Sequence, residues 1–519
     1  MVTSERMIQP GDCVLVTGAA GGVGQHVVRA LLDGGCIVRA VDQRGGEDLP
    51  LEWGAERTHV EWVQCDLRHA PLDALMEGVR AVIHTAALVG LSESYEEHHP
   101  TNVELVARLY QAAGRVGVEQ FIHFGAGSVY RPGKGLRIES DEIEPSNDYE
   151  RTKVESEAIL RSQEEGPAWT ILRPASIYGP ACESMSAGLV TLPPLLRSFI
   201  KYVPAFTGGI RGSWCHVEDV ASAAMVVLGN PRAYGQVFNV ADDTPLGLGE
   251  VMTSITQAYG LEIGPLVPFP SPPVLFAFSP LVDRDQVAFV LRQVLRQLWG
   301  RLKTKHFLNT PLRPKVDRRA LFYAAADTVL DSSALKGLGW GPRWPDFQEG
   351  IVDTIQWYQE QRWVPRFDTE AQVRVAGRRQ LGFSFSQTLT GDWTDEDGSR
   401  HPMQLTMEVE FPRLGRVDLS GRFQGRAWLT GLAVDAELRG TIRLGLSRRC
   451  VRYEFGVDTD EGGYRGTLRA HLDPRRPIES LSWLQGELFD DRGHRCGSLG
   501  LGLDVAEDLV PLLLSVRPV

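Results

Sequence analysis

Two residues able to exchange a proton lie four positions apart in "DYERTK" (148–153). At this spacing Tyr149 and Lys153 share one face of a helix predicted from about 148 to 165. A lysine ammonium near a phenol favours the ionised phenol, so the pair predicts a tyrosine that acts as acid or base near neutral pH. Because a Tyr-x-x-x-Lys pattern also occurs by chance on solvated helix faces, its meaning depends on the motifs around it.

A glycine-rich turn lies between a predicted strand and a predicted helix near the amino terminus. The glycines of "VTGAAGGVG" (16–24) follow a G-x-x-G-x-x-G spacing, which permits a tight turn and a close approach of the backbone to a ligand. The free N–H groups of the following helix can then bind a pyrophosphate. The alternative is a tight turn without a ligand. The residues predicted to contact a dinucleotide here are Gly18, Gly21, Gly22, Val23 and Gly24.

Asp42, the last residue of the second predicted strand, indicates which dinucleotide binds. Its carboxylate can accept hydrogen bonds from the adenosine ribose hydroxyls and would repel a ribose 2′-phosphate. No basic residue lies among the glycines, so the pattern predicts NAD rather than NADP. Arg44 is also counted among the cofactor contacts, and it is the one feature that favours NADP.

The composition limits the class of protein. A chain of 519 residues is too long for a single hydrophobic core of ordinary size, so we expect at least two domains. An apolar share of 43% with 23% charged residues is typical of a soluble globular protein, and a net charge of −12 argues against nucleic acid as a partner. The amino terminus lacks a secretory pattern, no apolar run of about 18 residues predicts a membrane span, and the cysteines are scattered. We therefore expect a cytoplasmic protein.

Predicted strands alternate with predicted helices in the first part of the chain. The strand-like runs cover 13–18, 36–42, 60–67, 81–87, 120–127 and 169–175. This alternation predicts an α/β Rossmann fold, a doubly wound parallel sheet that binds ligands beyond the carboxyl ends of its strands. We assign this domain to 10–365, with a small α/β substrate-binding part mainly over 176–345, where Pro and Gly become frequent.

The rest of the chain has a different pattern. Strand-like segments with period-two alternation, separated by turns rich in Gly, Asp and Arg, cover 403–411, 417–425, 432–446, 451–473 and 481–504. They predict a separate antiparallel β domain over 376–519, either a curved sheet or a closed barrel. It contains no metal-ligand cluster and no nucleophile elbow. A lipid-carrying barrel and a structural or dimerising module are both compatible with this pattern.

Taken in order, the motifs of residues 10–362 resemble those of the extended short-chain dehydrogenases/reductases, the group of NAD-dependent epimerases/dehydratases and 3β-hydroxysteroid dehydrogenases. The motifs that carry the resemblance are "TGAAGGVG" (17–24), Asp42, "CDL" (65–67), "HTAA" (84–87), "YERTK" (149–153), "LRPASIYGP" (172–180), "HVEDVA" (216–221) and "GQVFNVAD" (235–242). The β tail is similar to barrel domains fused to bacterial steroid and lipid oxidoreductases, around 383–393 and 452–458.

The resemblance implies roles for further residues. The matching positions of that family flank the adenine (Asp66, Leu67), line the cofactor path (Ala86, Ala87), support the active-site helix (Asn102), hold the nicotinamide ribose (Lys153) and lie near the nicotinamide (Pro174, Ala175). Family members often dimerise through a four-helix contact, so the resemblance also implies a homodimer.

The chain departs from the family at its catalytic serine or threonine. Counting back from "SVY" (128–130), that position holds Ala126. The loss of one such hydrogen-bond donor commonly costs a few kcal/mol of transition-state stabilisation. Ser128 would lie on the same face of an extended chain and is the candidate replacement. Its hydroxyl could equally bond only the local backbone.

The substrate-binding half gives weaker indications of the substrate. Nucleotide-sugar members of the family commonly carry an Arg-Asp-Phe segment whose arginine meets phosphate, and here that place holds "GSW" (212–214). Arg211 is the residue that could compensate. Trp214, with the apolar stretches 189–196 and 202–206, predicts either apolar pocket walls or ordinary core packing.

A predicted helix over 287–303 combines an apolar stripe with a basic face. The stripe consists of Val287, Val290, Leu291, Val294, Leu298 and Leu302, and the basic residues are Arg292, Arg296, Arg301 and Lys303. Such a helix either packs on its own domain or lies at a membrane surface. The resembling steroid dehydrogenases carry a membrane-associating region in this half, so a peripheral membrane contact is one expectation.

Together these features predict an NAD-dependent oxidoreductase that transfers hydride at a secondary alcohol or ketone of a hydrophobic, sterol-like or polyketide-like small molecule. Tyr149 would be the general acid/base, Lys153 its partner and Ser128 the candidate hydroxyl. Two alternatives stay open. The first is a nucleotide-sugar epimerase or dehydratase with tightly held NAD. The second is a protein that only senses a dinucleotide, as Ala126 would permit.

Overall fold

The computed structural model describes most of the chain. The described ranges are 8–45, 58–90, 93–131, 133, 135–183, 185–198, 202–269, 285–314, 327–367, 383–411, 418–445, 450–459, 462–471, 483–502 and 517–518. The predicted boundary between the two domains, near 365–378, falls largely outside these ranges, so the domain limits stay a prediction.

Short elements alternate along residues 8–367. The strands are β1 (Cys13–Thr17), β2 (Ile37–Asp42), β3 (Val60–Gln64), β4 (Ala81–His84), β5 (Gln120–Phe124), β6 (Leu136–Arg137), β7 (Ala168–Pro174), β8 (Ser176–Tyr178), β9 (Val203–Thr207), β10 (Arg211–Gly212), β11 (Trp214–His216), β12 (Gln236–Val240), β13 (Leu246–Gly247), β14 (Ile263–Pro268) and β15 (Val329–Leu330). The α-helices are α1 (Gly22–Asp33), α2 (Leu72–Met76), α3 (Tyr95–His99), α4 (Leu105–Val116), α5 (Asp148–Arg161), α6 (Met185–Leu189), α7 (Leu192–Arg197), α8 (Val217–Val227), α9 (Leu248–Ala258), α10 (Asp285–His306), α11 (Ser333–Lys336) and α12 (Phe347–Glu360).

A seven-stranded parallel sheet forms the centre of this part. Its strand order is β12-β7-β5-β4-β1-β2-β3, and every neighbouring pair runs parallel. The chain adds strands outward from β1 to β3 and then returns to place β4 on the other side of β1. Ligands of doubly wound sheets bind beyond the carboxyl ends at such a reversal. The sheet confirms the predicted Rossmann fold.

Apolar side chains cover both faces of this sheet. On one face α1 and α8 pack through Val27 and Val220. On the other face α4 and α5 pack through Leu109 and Leu160. Amphipathic helices on both sides remove the strands from water, which a parallel sheet requires. With both faces covered, a ligand has to bind at the ends of the strands, and in doubly wound sheets it binds at the carboxyl ends.

The substrate-binding part is built from short strand pairs and helices. β8 pairs with β11, β9 with β14, β10 with β13 and β6 with β15. Its apolar core contains Trp214, Trp299, Phe347 and Ile355. The core therefore joins β11 to α10 and α12.

The described part of α10 packs on its own domain. Val294 and Leu302 are buried, and the half-buried Leu298 lies against the same core. The first part of the predicted stripe, Val287 to Leu291, lies outside the residues whose side chains are described. Within the described ranges, no helix combines the length and the apolar character needed to cross a bilayer.

A closed antiparallel barrel forms the second domain. Its strands are β16 (Phe383–Asp395), β17 (Arg400–Phe411), β18 (Asp418–Leu429), β19 (Ala433–Gly445), β20 (Cys450–Thr459), β21 (Gly462–His471), β22 (Leu484–Asp490) and β23 (Arg495–Gly502), with β24 (Arg517–Pro518) added beside β16. Each strand from β16 to β23 pairs with the next, and β23 pairs back with β16. This closure confirms the predicted barrel and rules out the open curved sheet.

Candidate active site

The predicted cofactor contacts gather at the carboxyl edge of the parallel sheet. They follow or end the strands β1, β2, β3, β4 and β7 at Gly18, Asp42, Asp66, Ala86 and Pro174. The acid/base pair lies on α5, which begins after a cap in which the Asn147 side chain accepts a hydrogen bond from the Glu150 N–H at 2.9 Å. A dinucleotide and a substrate could therefore meet at one edge of the fold.

At two glycines of the first turn there is no room for a side chain. Gly18 has φ +68°, and a Cβ there would lie 2.7 Å from the backbone of Ala86. A Cβ on Gly24 would lie 2.1 Å from the carbonyl oxygen of Gly18. The turn is thus in close backbone contact with the loop after β4 on one side and with α1 on the other. These spacings fit a dinucleotide-binding turn, since the backbone can approach a phosphate only where side chains are absent.

Asp42 is tied to the glycine turn by its carboxylate. One oxygen accepts from the Ala20 N–H at 3.0 Å, and the other accepts from the Arg44 N–H at 3.0 Å. The Arg44 guanidinium donates to the Ala20 carbonyl and lies 3.4 Å from the Glu183 carboxylate. Two carboxylates thus offset the charge of Arg44, which supports the prediction of NAD over NADP. Each Asp42 oxygen keeps a lone pair with which it can accept from a ribose hydroxyl.

Replacing Asp42 by alanine should weaken NAD binding about 10- to 100-fold, because hydrogen bonds to a charged group contribute about 1.5–3 kcal/mol. Calorimetric titration with NAD measures the change. Asp33→Ala is the matched control, because Asp33 is exposed and pairs only with Arg29 on α1 among the described residues. Equal affinity in the wild type and Asp42→Ala would show that the ribose contacts lie elsewhere.

The predicted adenine residues differ in their surroundings. Leu67 is buried in the apolar cluster that contains Leu105. The Asp66 carboxylate accepts from the Arg68 guanidinium at 2.7 Å, and this pairing lowers the pKa of Asp66 to about 2. Asp66 is therefore ionised and directed toward Arg68 at neutral pH. Its carboxylate oxygens keep further lone pairs with which they can accept from a base.

Asn102 links the loop after β4 to the active-site helix. Its side-chain oxygen accepts from the Leu88 N–H at 2.8 Å, and its amide nitrogen donates to the Thr152 hydroxyl at 3.2 Å. Thr152 in turn donates to the carbonyl of Tyr149 at 2.8 Å. Ala86 and the half-buried Ala87 precede this linked loop. These contacts are those expected of a residue that supports the helix.

Lys153 is buried and reaches the end of β5. Its ammonium donates to the Phe124 carbonyl at 2.8 Å and lies 5.9 Å from the centre of the Tyr149 ring. Burial lowers the pKa of Lys153 to about 8, and the Glu157 carboxylate opposes that fall. The side chain is thus close to the point at which it loses its charge.

The pKa of Tyr149 is shifted in the direction opposite to the one expected from sequence. Burial raises the pKa of its phenol above the ordinary value, and the Glu150 carboxylate adds to the rise. In the free chain, desolvation of the phenolate therefore outweighs any help from Lys153. The phenol is protonated at neutral pH, which is the state that donates to a carbonyl oxygen.

The loop after β5 corrects the reasoning about Ser128. Ala126 is buried and extended, but Gly127–Val129 form a 3₁₀ turn, so Ser128 is not on the same face of a continuous strand. Ser128 is half-buried, and its hydroxyl makes no hydrogen bond with any residue that the structure describes. It stays a candidate because this hydroxyl is free to turn toward a ligand.

Pro174 and Ala175 lie beside this loop. A Cβ on Gly127 would lie 2.7 Å from the Pro174 carbonyl oxygen. The Ala175 N–H donates to the Val240 carbonyl at 2.9 Å, which fixes the chain after β7. The two residues predicted to lie near the nicotinamide are thus next to the turn that carries Ser128.

Three buried histidines surround the pair and were given no role from sequence. The rings of His84 and His123 stack at 5.5 Å at the ends of β4 and β5, and the ring of His98 lies 5.8 Å from that of Tyr149. Burial lowers the pKa of His84 to about 3 and that of His123 well below its ordinary range. Both rings are therefore neutral beside Lys153. For His84 and His123, the sequence sign of burial is that each lies at the end of an apolar strand run.

The substrate side gives no phosphate-binding arginine at the predicted place. The Ser213 hydroxyl accepts from the Leu330 N–H at 3.0 Å and is used within the fold. The exposed Arg211 guanidinium donates to the Pro245 carbonyl at 3.2 Å. Trp214 packs on Phe347, with ring centres 4.9 Å apart. Trp214 is buried in the apolar core and also lines a small cavity with Tyr178 and Phe347, so the structure supports both core packing and an apolar pocket wall.

A comparison with known protein families finds a match for part of the first domain. Residues 14–241 match the model of the NAD dependent epimerase/dehydratase family. The matched range contains the glycine turn, Asp42 and the Tyr149–Lys153 pair. It confirms the resemblance predicted from the motifs, and it confirms NAD as the cofactor of the family that this region resembles.

Curated relatives include both sterol-related and nucleotide-sugar enzymes. A 3 beta-hydroxysteroid dehydrogenase/Delta 5-->4-isomerase of Mycobacterium tuberculosis is 28% identical over 265 residues, which are 48% of this chain and 69% of that protein. Sterol demethylase protein B of Methylococcus capsulatus is 38% identical over 174 residues, 32% of this chain and 52% of that protein. A UDP-glucose 4-epimerase of Mycolicibacterium smegmatis is 29% identical over 258 residues, 47% of this chain and 82% of that protein.

A solved structure shares the fold of the first domain. The UDP-N-acetylglucosamine 4-epimerase from Methanobrevibacter ruminantium M1 aligns with a TM-score of 0.51 at 18% identity, over 68% of this chain and 100% of that chain. At this identity the likeness shows the fold alone.

Proposed function

We propose that this protein is an NAD-dependent oxidoreductase that transfers hydride at a secondary alcohol or ketone of an apolar, sterol-like or polyketide-like molecule. The observation that carries the proposal is the placement of Tyr149 and Lys153. Both lie on one face of α5, and the Lys153 ammonium donates to the Phe124 carbonyl at the edge where the glycine turn and Asp42 also lie. The match of 14–241 to an NAD-dependent family supports the same cofactor.

The chain's own residues supply positioning and proton transfer. The glycine turn and Asp42 would hold the cofactor, which would accept hydride as NAD or donate it as NADH. Tyr149 donates its phenolic proton to the carbonyl oxygen of a ketone, or, once ionised, accepts the proton of an alcohol. The Lys153 ammonium places a positive charge near the phenol and favours its ionised form. Because burial raises the pKa of Tyr149, alcohol oxidation should be favoured by alkaline pH.

Two observations favour an apolar substrate over a nucleotide sugar. At the place of the family's phosphate-binding arginine, Ser213 is engaged by the Leu330 N–H and Arg211 by the Pro245 carbonyl. Two of the relatives compared above are named for steroid or sterol chemistry. The nucleotide-sugar epimerase reading stays the second candidate, because a relative of similar identity is a UDP-glucose 4-epimerase.

The test is NADH formation from NAD with a panel of hydroxysteroids and other apolar secondary alcohols. NADH consumption with the corresponding ketones tests the reverse direction. Tyr149→Phe serves as the control for chemistry at this site. Interconversion of UDP-glucose and UDP-galactose without net NADH would favour the second candidate, and NAD binding without any turnover would favour the dinucleotide-sensing alternative.

The hydroxyl of Ser128 should matter to this reaction. We expect Ser128→Ala to lower kcat about 10²- to 10³-fold, as removal of one transition-state donor does, with little change in NAD affinity. Ser162→Ala is the matched control, since the Ser162 hydroxyl lies at the exposed end of α5 and donates to the Ile159 carbonyl. An unchanged rate in Ser128→Ala would mean that the reaction runs without a serine hydroxyl from this loop.

A further inference from the structure

The loop that leaves β5, residues 125–130, is held against α5 by a buried carboxylate. We call this segment the strand-end loop; it carries both Ala126 and Ser128. A Cβ on its first residue, Gly125, would lie 2.3 Å from the Oε1 atom of Glu157. The carboxylate therefore occupies the space that any other residue at position 125 would need.

Glu157 forms a buried ion pair with Arg173, the penultimate residue of β7. The Arg173 Nε donates to Glu157 Oε1 at 3.0 Å, and its Nη2 donates to Glu157 Oε2 at 2.6 Å. Both side chains are almost inaccessible, at 0% and 2% relative exposure for Arg173 and Glu157. The half-exposed Arg161 lies behind Glu157, with 3.3 Å between the guanidinium and the carboxylate.

Arg173 also holds the other end of the strand-end loop. Its Nη1 donates to the Tyr130 hydroxyl at 2.8 Å, and that hydroxyl donates to the Asn239 side chain at 2.6 Å. The pair thus contacts the first residue of the loop through Glu157 and the last residue through Arg173. Between these two points the loop presents Ala126 and Ser128.

Glu157 lies one helical turn after Lys153, so the two side chains share a face of α5. The Lys153 ammonium holds the Phe124 carbonyl, directly before the residue that Glu157 contacts. The other titratable groups around Lys153 are His84 on β4, His123 on β5 and Tyr149 on its own helix. Burial keeps both histidines neutral and the phenol protonated, so Glu157 is the anion that opposes the loss of the Lys153 charge.

We propose that Glu157 and Arg173 are positioning residues for the reaction proposed above: together they fix the strand-end loop on α5, and the Glu157 carboxylate keeps the Lys153 ammonium charged. This inference rests on the proposed function for its meaning in catalysis, but the charge coupling within the free chain can be measured without turnover. A purely structural pair would affect folding stability and leave the titration of Lys153 unchanged.

The experiment is an NMR titration of the full chain labelled with [ε-¹³C]lysine, without cofactor or substrate. The chain has seven lysines, so Lys153→Met assigns the signal. In Glu157→Gln, Lys153 loses its anion and faces an unpaired Arg173 cation. Both effects disfavour the ammonium, so its pKa should fall by about one pH unit below the wild-type value. Arg161→Gln is the control and should leave the titration unchanged.

A second variant covers the case in which the single variant does not fold. Glu157→Gln/Arg173→Met leaves no unpaired buried charge and should tolerate the change better. Its Lys153 pKa should lie between those of Glu157→Gln and the wild type. Equal Lys153 titrations in the wild type and in either folded variant would overturn the proposal.

Kinetics then separate this inference from the proposed function. Ketone reduction needs the Lys153 ammonium, so its rate should fall as pH rises through the Lys153 pKa, and in Glu157→Gln this fall should begin at lower pH. If the NMR titration shifts but no alcohol or ketone reacts, the charge coupling stands and the proposed activity fails. If the activity is present and the titration does not move, the inference fails alone.

Discussion

Replacement of Tyr149 by phenylalanine is expected to lower kcat about 10²- to 10⁴-fold, the range over which general acid–base groups act. The variant loses only the phenolic oxygen. Its ring can keep its contact with His98, and Lys153 can keep its hydrogen bond to the Phe124 carbonyl. The loss should therefore appear in kcat, while NAD affinity and the unfolding temperature stay close to those of the wild type. Steady-state kinetics, calorimetry and thermal unfolding measure the three quantities.

Tyr95→Phe is the matched control for this variant. The Tyr95 hydroxyl also belongs to a tyrosine beside α5, but it donates to the Glu155 carboxylate at 2.7 Å on the outer side of the helix. Its removal should change the rate less than about threefold. Turnover by Tyr149→Phe at the wild-type rate would show that another group transfers the proton, and His98 would be the first residue to examine.

Replacement of Gly24 by alanine is expected to abolish NAD binding and to destabilise the first domain. The new methyl would lie 2.1 Å from the Gly18 carbonyl oxygen and 2.8 Å from the Ala19 Cα, and all of these neighbours are backbone atoms. Relief requires α1 to move away from the glycine turn. Overpacking of this kind costs about 1–3 kcal/mol of folding free energy. Denaturant unfolding and calorimetric titration with NAD measure the two losses.

Gly300→Ala gives the opposite result for the same chemical change. Gly300 lies inside α10, and a Cβ there would meet no atom within 4 Å. Alanine is about 1 kcal/mol better than glycine in a helix interior, so the variant should be slightly more stable and bind NAD normally. If Gly24→Ala binds NAD as tightly as Gly300→Ala, the glycine turn is not the dinucleotide site.

The elements that could be predicted from sequence are those dominated by one local pattern. β1 and β5 are short apolar runs bounded by turn residues, and the strands of the barrel alternate with period two. The close backbone contacts at Gly18 and Gly24 could be predicted from spacing alone, since three glycines at that interval leave room for one backbone to cross another. The residues of the predicted cofactor site lie at one edge of the sheet because they end or follow parallel strands at their carboxyl ends.

Features that depend on contacts distant in sequence could not be predicted. Nothing local shows that the chain turns into a 3₁₀ helix after Ala126, so the sequence predicts an extended strand for Ser128, which is wrong. The rise in the Tyr149 pKa comes from burial, which the Tyr-x-x-x-Lys spacing does not reveal. The pairing of Glu157 with Arg173 joins α5 to β7. Its only local sign was that Glu157 falls on the same helix face as Lys153.

The helix over 287–303 shows how an amphipathic pattern leaves two explanations open. A stripe of apolar residues predicts burial but not against what. Trp299 and Leu302 are buried in the core that contains Trp214. For the described residues, the chain's own domain supplies the apolar partner.

The most direct test of the proposed activity is NADH absorbance when the full chain meets NAD and an apolar secondary alcohol, with hydroxysteroids first in the panel. We expect NADH formation that increases with alkaline pH until Lys153 loses its proton, and that disappears in Tyr149→Phe. UDP-glucose should give neither NADH nor an epimerised product. Epimerisation of the nucleotide sugar, together with no reaction of any apolar alcohol or ketone, would contradict the proposed activity.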